Sequence, residues 1–346
     1  MKTEFLVIDD LAAQAHDIAR AADVIRRGGL VVFPTETVYG LGADATSEAA
    51  AKAIYAAKGR PSDNPLIIHV ATPADAERYA ITNDTYYKLA AQFMPGPLTV
   101  ILPKKDTVPL AVTGGLDTVA IRCPAHPVAQ ALIKAAGVGI AAPSANRSGR
   151  PSPTLAAHAR EDLDGRVDMI LDGGAAEVGL ESTIVALDGD VGTLLRPGAV
   201  TYDALCCVCR EVRVAEAVAD KLAEDARPLS PGMKYRHYAP RASLTLLDGE
   251  KEDVTRFLVQ AASDPHVGIL CYDEEIPLFG KGARLFPIGA AEDLGAQAHR
   301  FFAVLREVDA HPEITALYAH LPPKDGLGLA LFNRSIRAAA HTIKKV

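Results

Sequence analysis

Tryptophan is absent from this chain of 346 residues, and aromatic residues make up only 5% of it. Stacking bases on an aromatic platform is therefore not its main theme. No apolar run approaches the ~20 residues that a membrane-spanning helix needs. Excess positive charge is missing as well: 36 basic residues face 43 acidic ones, for a net charge of -7. A globally basic nucleic-acid binder has a different balance. Any polyanion site must be a local basic pocket inside an acidic shell. Cysteine is scarce, with Cys123, Cys206, Cys207, Cys209 and Cys271 the full set. Three of them crowd within four positions, too close to staple distant segments, so the chain reads as reduced and cytoplasmic. No His pair accompanies them at zinc spacing. The opening stretch MKTEFLVIDD reaches acids at Asp9 and reads as no signal peptide. Walker, Gly-x-Ser-x-Gly and Gly-x-Gly-x-x-Gly signatures are all missing.

What is present is apolar residue, at 49%, enough for two cores rather than one. Up to Arg196, helical and strand patterns alternate and then give way to short hairpin-like strands. This predicts an α/β fold, a mixed twisted sheet with helices. Ile18, Ala22 and Ile25 mark one helix face before Gly28-Gly29. Leu30 to Phe33, Leu66 to Val70, Leu98 to Leu102, Thr118 to Arg122 and Gly139 to Ala142 read as strands. Ser47 and Asn83 (or Asp84) are candidate helix caps. Val212 to Asp225 reads as a surface helix. The stretch RPLSPGMKYRHYAPRA has linker composition, and alternation from Ser243 onward predicts a smaller, open Rossmann-like α/β sheet. The expected domains are 1–212, a linker or lid at 213–241, and 242–346.

Chemistry concentrates at strand ends, where ligands favour α/β sheets. Lys58 and Arg60 can converge on one phosphate-bearing ligand if the backbone between them is extended, or can simply favour the end of a helix. Asn64 adds an amide. Thr37 lies in a hydroxyl-rich turn that can also serve only its own backbone. His69 sits inside an apolar strand, as a ligand group or a satisfied core residue. Arg122 ends a strand and can grip a carboxylate, or form a surface ion pair. Ser144, in the loop PSANRSG, offers a close backbone approach. Ser182 opens a strand and Arg196 closes one.

The stretches PTETVYGLG, KGRPSDNPL with His69, PGPLT, AIRCP, APSANRSG, the run at 179–183, LLRPG and SPGMKYRHYAP together resemble the YrdC-domain family of threonylcarbamoyl-AMP synthases, in their long two-domain form. The resemblance covers nearly the whole chain and is weakest in the last hundred residues. It implies that L-threonine, bicarbonate or CO2, and ATP give L-threonylcarbamoyl-adenylate and pyrophosphate. A tRNA threonylcarbamoyl-transferase system would then move the group to adenosine 37 of tRNA. It implies threonine binding by Thr37, His69, Arg122, Ala142 and Ser182. It implies ATP binding by Lys58, Arg60, Asn64, Thr118, Ser144, Ser152, Arg196, His237 and Tyr238, with Lys58 and Arg60 as the catalytic cations. Mg2+ is expected with ATP, and no organic cofactor, membrane or strong direct nucleic-acid binding is. The competing readings are a nucleic-acid-binding module and another carbamoyl or adenylyl transferase on the same fold.

Overall fold

The structure, a computed structural model, describes residues 2–218, 229–230 and 238–346. Lys234, Tyr235, Arg236 and the candidate ligand residue His237 lie outside the described residues. The chain divides into two compact units. The first takes the described residues of 1–148, 152–177 and 181–235; the second takes those of 149–151, 178–180 and 236–346.

In the first unit one eleven-stranded mixed sheet carries the helices. The chain runs β1 (Glu4–Val7), α1 (Ala15–Arg26), β2 (Val31–Phe33), β3 (Gly40–Asp44), α2 (Glu48–Lys58) and β4 (Ile67–His69). It continues through α3 (Asp84–Phe93), β5 (Leu98–Pro103), β6 (Thr118–Arg122), α4 (Pro127–Ala136) and β7 (Ile140–Ala142). Then follow α5 (Ala156–Leu163), β8 (Met169–Asp172), β9 (Thr183–Asp188), β10 (Val191–Arg196), α6 (Tyr202–Cys206) and β11 (Glu211–Val214). In space the order is β1-β8-β2-β3-β7-β4-β6-β5-β9-β10-β11. Ile18, Ala22 and Ile25 of α1 and Leu132 of α4 pack on Val31, Phe33 and Ile140, as the 3.6-residue spacing of their apolar positions requires.

Local chemistry sets the element ends. Ser47 Oγ accepts from Ala50 N at 3.2 Å and starts α2. Gly59 ends it in the left-handed conformation, φ 62°. Asn83 caps α3 by accepting from Tyr86 N. Strand β3 escapes the sequence pattern because its residues, GLGAD, are small. A Cβ on Gly42 would stand 2.6 Å from Ile140 Cγ2 and 2.8 Å from Phe33 Cε1, so the sheet demands that smallness. The surface helix expected from Val212 to Asp225 is corrected over its described part: Glu211–Val214 is β11, paired in parallel with β10, and Glu216–Val218 is a single 3-10 turn, while residues 219–225 lie outside the described residues. Alternation in Glu-Val-Arg-Val meets the open backbone edge of β10, and sheet pairing overrides helix propensity.

The second unit is an open parallel sheet. It comprises β12 (Ser243–Asp248), α7 (Lys251–Ala261), β13 (Val267–Cys271), β14 (Arg284–Pro287), α8 (Leu294–Asp309), β15 (Ala316–His320), α9 (Gly328–Ala338) and β16 (Ile343–Lys345). Its order is β14-β13-β15-β12-β16, with every pairing parallel. The α/β pattern read from Ser243 onward is thus found. Only the terminal β16, Ile343–Lys345, all exposed, carries no apolar signature.

Candidate active site

Strand register assembles the site in the first unit. His69 ends β4 opposite Arg122 of β6. Arg122 faces Thr99 of β5, Thr99 faces Ile184 of β9, and Ile184 faces Arg196 of β10. Paired residues project to the same side of a sheet, so His69, Arg122, Thr99 and Arg196 form one cross-strand polar row. One step along the strands, Ile67, Ala120, Ile101 and Ala186 make a parallel apolar row.

The polar row is bound together. Thr99 Oγ1 lies 2.7 Å from Ser182 Oγ. Arg196 donates from Nη2 to that same hydroxyl at 3.1 Å and from Nε to Ser182 O at 3.0 Å. Arg122 donates from Nη2 to Glu36 Oε1 at 2.7 Å, while Glu36 Oε2 accepts from Ala125 N at 3.0 Å. Burial alone would raise the Glu36 carboxyl; Arg122 and the Ala125 amide outweigh it, and the group sits below the usual carboxylate range. Glu36 therefore stays charged and holds the Arg122 guanidinium in one orientation. Arg122 Nε is buried with no hydrogen-bond partner. That N–H shares an edge of the fork with Nη2, the edge that receives a carboxylate side-on.

His69 is neutral. Burial, and then the nearby Arg122 charge, push its pKa down to about 3. Its Nδ1 lies 3.1 Å from Ile67 O and 3.3 Å from Ile140 O, both acceptors, so Nδ1 carries the proton and Nε2 is the acceptor. Phe33 meets the ring edge-on, 5.6 Å between centroids.

A second group gathers where β7 runs into the loop at Ser144. Ser144 bridges to Gly40, and Ala142 faces Ile67 across β7 and β4. Lys58, buried, donates from Nζ to Ser144 O at 2.6 Å and to Asn146 O. Ser144 Oγ donates to Asn146 Oδ1 at 2.5 Å. Arg60 lies against Asn64 O and Pro65 O at 3.4 and 3.2 Å. The extended backbone that would aim Lys58 and Arg60 together is not what forms: Gly59 takes the left-handed turn, and Lys58 clamps the Ser144–Asn146 loop. Asn64 Oδ1 is buried without a partner. Ser152 Oγ donates to Glu181 Oε1 at 2.5 Å. Thr37 is fully buried, its hydroxyl 2.9 Å from Thr35 Oγ1.

The register therefore brings together His69, Arg122, Ser182 and Arg196, with Ala142 one step and Ser144 two steps along the strands. Thr118 opens β6 opposite Pro103, four residues from Arg122, or about 13 Å at the usual strand rise. Tyr238 belongs to the second unit, where its ring packs on Phe302 at 5.0 Å. Two groups bonded into this network, Glu36 and Thr99, were not assigned a role from sequence. Glu36 is one acid in a hydroxyl-rich turn. Thr99 left a faint signal, as the polar residue in the apolar strand LTVIL. Among the described residues no three His, Cys, Asp or Glu side chains group so as to hold a metal. No described helix is long and apolar enough to cross a membrane.

Residues 23–198 match the Sua5/YciO/YrdC family, described as "telomere recombination", and residues 200–340 match the threonylcarbamoyl-AMP synthase C-terminal domain. The chain is 42% identical over 340 residues to the threonylcarbamoyl-AMP synthase of Bacillus subtilis, covering 97% of each. It is 43% identical over 335 residues to that of Pyrococcus abyssi, covering 94% of this chain and 95% of the relative. The crystal structure of P. abyssi Sua5 complexed with L-threonine superposes with a TM-score of 0.90 at 40% identity, covering 100% of both chains.

Proposed function

The chain belongs to the threonylcarbamoyl-AMP synthase family, a nucleotidyltransferase-type enzyme of tRNA modification, and from that premise we propose how its own residues divide the work. The substrates in this reading are L-threonine, bicarbonate or CO2, and ATP. The products are L-threonylcarbamoyl-adenylate and pyrophosphate, made in the cytoplasm and passed to a tRNA threonylcarbamoyl-transferase system.

Threonine takes the polar row. The Nε and Nη2 edge of Arg122 receives its carboxylate, with Glu36 fixing the fork. Ser182, held by Thr99 and Arg196, and the bare Nε2 of His69 take its hydroxyl and amino groups, with Thr37 and Ala142 completing the threonine site. A neutral histidine suits this role, because a second cation beside Arg122 would repel the ammonium. A site built to bond the side-chain hydroxyl rejects amino acids that lack it.

The amine takes up CO2 to form a carbamate and releases a proton. A carbamate oxygen then attacks the α-phosphorus of ATP; the new O–P bond forms as the bond to the β-phosphate oxygen breaks, and pyrophosphate leaves. Such a transfer needs charge neutralisation more than a covalent nucleophile. Arg60 and Arg196 face the phosphates in this reading. Lys58 acts on the Ser144 loop it clamps, and Asn64, Thr118, Ser144 and Ser152 hold the rest of the nucleotide. Mg2+ would arrive bound to the triphosphate of ATP.

The observation that carries this reading is Arg122 itself: a buried guanidinium locked by Glu36, with an unpartnered Nε–H, beside a neutral histidine. Its test is pyrophosphate release from ATP and bicarbonate across an amino-acid panel. Release with threonine, and little with valine or alanine, is expected. Turnover indifferent to the amino acid would overturn it.

A further inference from the structure

Cys206, Cys207 and Cys209 serve no part of this reaction, and all three are free thiols. The run Cys206-Cys207-Val208-Cys209 folds as the last turn of α6. Val208 N and Cys209 N both donate to Leu205 O, at 3.0 and 2.9 Å, and Cys207 keeps a right-handed helical backbone, φ -72° and ψ -15°. On such a turn the Cα atoms of residues three apart lie about 5 Å from each other, on one face. That is inside the ~4.4–6.8 Å window of a disulfide. The other pairings do not suit a bridge. Cys206 and Cys207 are adjacent, with Cα atoms about 3.8 Å apart, and helical side chains two apart, like those of Cys207 and Cys209, do not face each other.

The two facing thiols differ in access. Cys206 is exposed, with the Tyr202 hydroxyl in hydrogen-bonding contact with its sulfur. Cys209 is only 5% exposed, and its sulfur rests on β10: a Cβ on Gly192 would stand 3.2 Å from it. The chain just beyond is pinned, because Arg210 donates from its backbone N to Asp190 O at 3.0 Å and from Nε to Asp190 Oδ2 at 2.8 Å. Burial, and then the nearby Cys206, raise the Cys209 thiol above its ordinary range. Burial penalises a thiolate, whereas a disulfide carries no charge. The pair thus joins an outer sulfur that a reagent can reach to an inner one that only Cys206 faces.

We propose that Cys206 and Cys209 form a thiol–disulfide exchange site for small disulfides of the oxidised-glutathione class. The Cys206 thiolate attacks one sulfur of the reagent. A Cys206–glutathione bond forms, the reagent's own S–S bond breaks, and one glutathione thiolate leaves. Cys209 then gives up its proton and attacks the Cys206 sulfur; the Cys206–Cys209 bond forms and the second glutathione leaves. Two protein thiols lose two electrons, and oxidised glutathione gains them as two thiols. The intramolecular second step is favoured by the high effective concentration of a thiol one turn away. Cys207 is exposed but has no facing thiol, so a glutathione placed there is not displaced from within.

Oxidised glutathione is the probe. The reduced full chain is incubated with it, quenched with an alkylating tag in denaturant, and read by mass spectrometry. The expected product has lost two hydrogens, with the tag on Cys123, Cys207 and Cys271 but not on Cys206 or Cys209. Cys207→Ser should close the bridge at a rate within about twofold of wild type. Cys209→Ala should stop with glutathione on Cys206, and Cys206→Ser should form no bridge; all three variants should keep pyrophosphate release. Glutathione that stays on Cys206 in the wild type would overturn the proposal, as would a bridge that includes Cys207. So would a bridge in Cys206→Ser, or a wild-type chain left fully reduced by millimolar oxidised glutathione. The wild-type tagging pattern alone decides the pairing if a variant fails to fold.

Discussion

His69 should make the first unit sensitive to acid, and the size of the effect follows from its surroundings. In the fold its pKa lies at about 3, against an ordinary value of 6.5. An unfolded chain therefore takes up a proton below pH 6.5 that the folded chain refuses until near pH 3. The contribution is fully present above pH 6.5 and is lost as pH falls through the window from 6.5 to 3. Between pH 7.5 and 5.0 the difference comes to about 2 kcal/mol, at 1.36 kcal/mol per unit of pKa shift. Glu36, also depressed, acts with the same sign but only below its ordinary 4.5, outside this comparison. The experiment is urea unfolding of wild type and His69→Asn at both pH values, scored by hydrogen exchange of β4 and β6 amides so that the first unit alone is read. Asn keeps a donor near the Ile67 and Ile140 carbonyls but cannot titrate. Wild type should lose about 2 kcal/mol more than the variant on acidification. Equal losses would show that His69 is not held neutral by burial and Arg122, and would remove the basis for its role as an acceptor.

Three more outcomes follow. Glu36→Gln should raise the KM for threonine more than about tenfold while changing kcat less, because it loosens the Arg122 fork rather than the chemistry; a lowered kcat with KM unchanged would refute that. Arg60→Ala should lower turnover about a hundredfold or more in a chain that still folds, as expected for one lost phosphate contact, and steady-state rates with circular dichroism check both halves. Gly42→Ala should cost about 1–3 kcal/mol of first-unit stability by overpacking against Phe33 and Ile140, measured by urea unfolding; a neutral result would mean that the β2–β3 corner yields more easily than its contacts indicate.

Much of this was legible in the chain, and the rest was hidden for definite reasons. Apolar periodicity marked β2, β4, β5, β6 and most of the second unit, because those elements bury one face or stripe. It could not mark β3, whose residues must be small to clear Phe33, nor β11, whose pairing is decided by the edge of β10. Strand-end placement pointed to Arg122, Ser182 and Arg196 before register joined them. Glu36 and Thr99 stayed hidden because their partners, Arg122 and Ser182, lie 86 and 83 residues away in sequence. Likewise, the Lys58–Arg60 spacing spoke of cations, but not of the turn at Gly59 that commits Lys58 to a loop.

Arg122 is the hinge of the whole account, and one measurement tests it most directly: calorimetric binding of L-threonine and of L-threoninol, which lacks the carboxylate, to wild type and Arg122→Gln. Wild type should prefer threonine about a hundredfold, in keeping with a bidentate charged hydrogen bond of roughly 3 kcal/mol. The variant should bind both weakly and alike. A variant that still prefers threonine by that factor would place the carboxylate elsewhere and contradict the site described here.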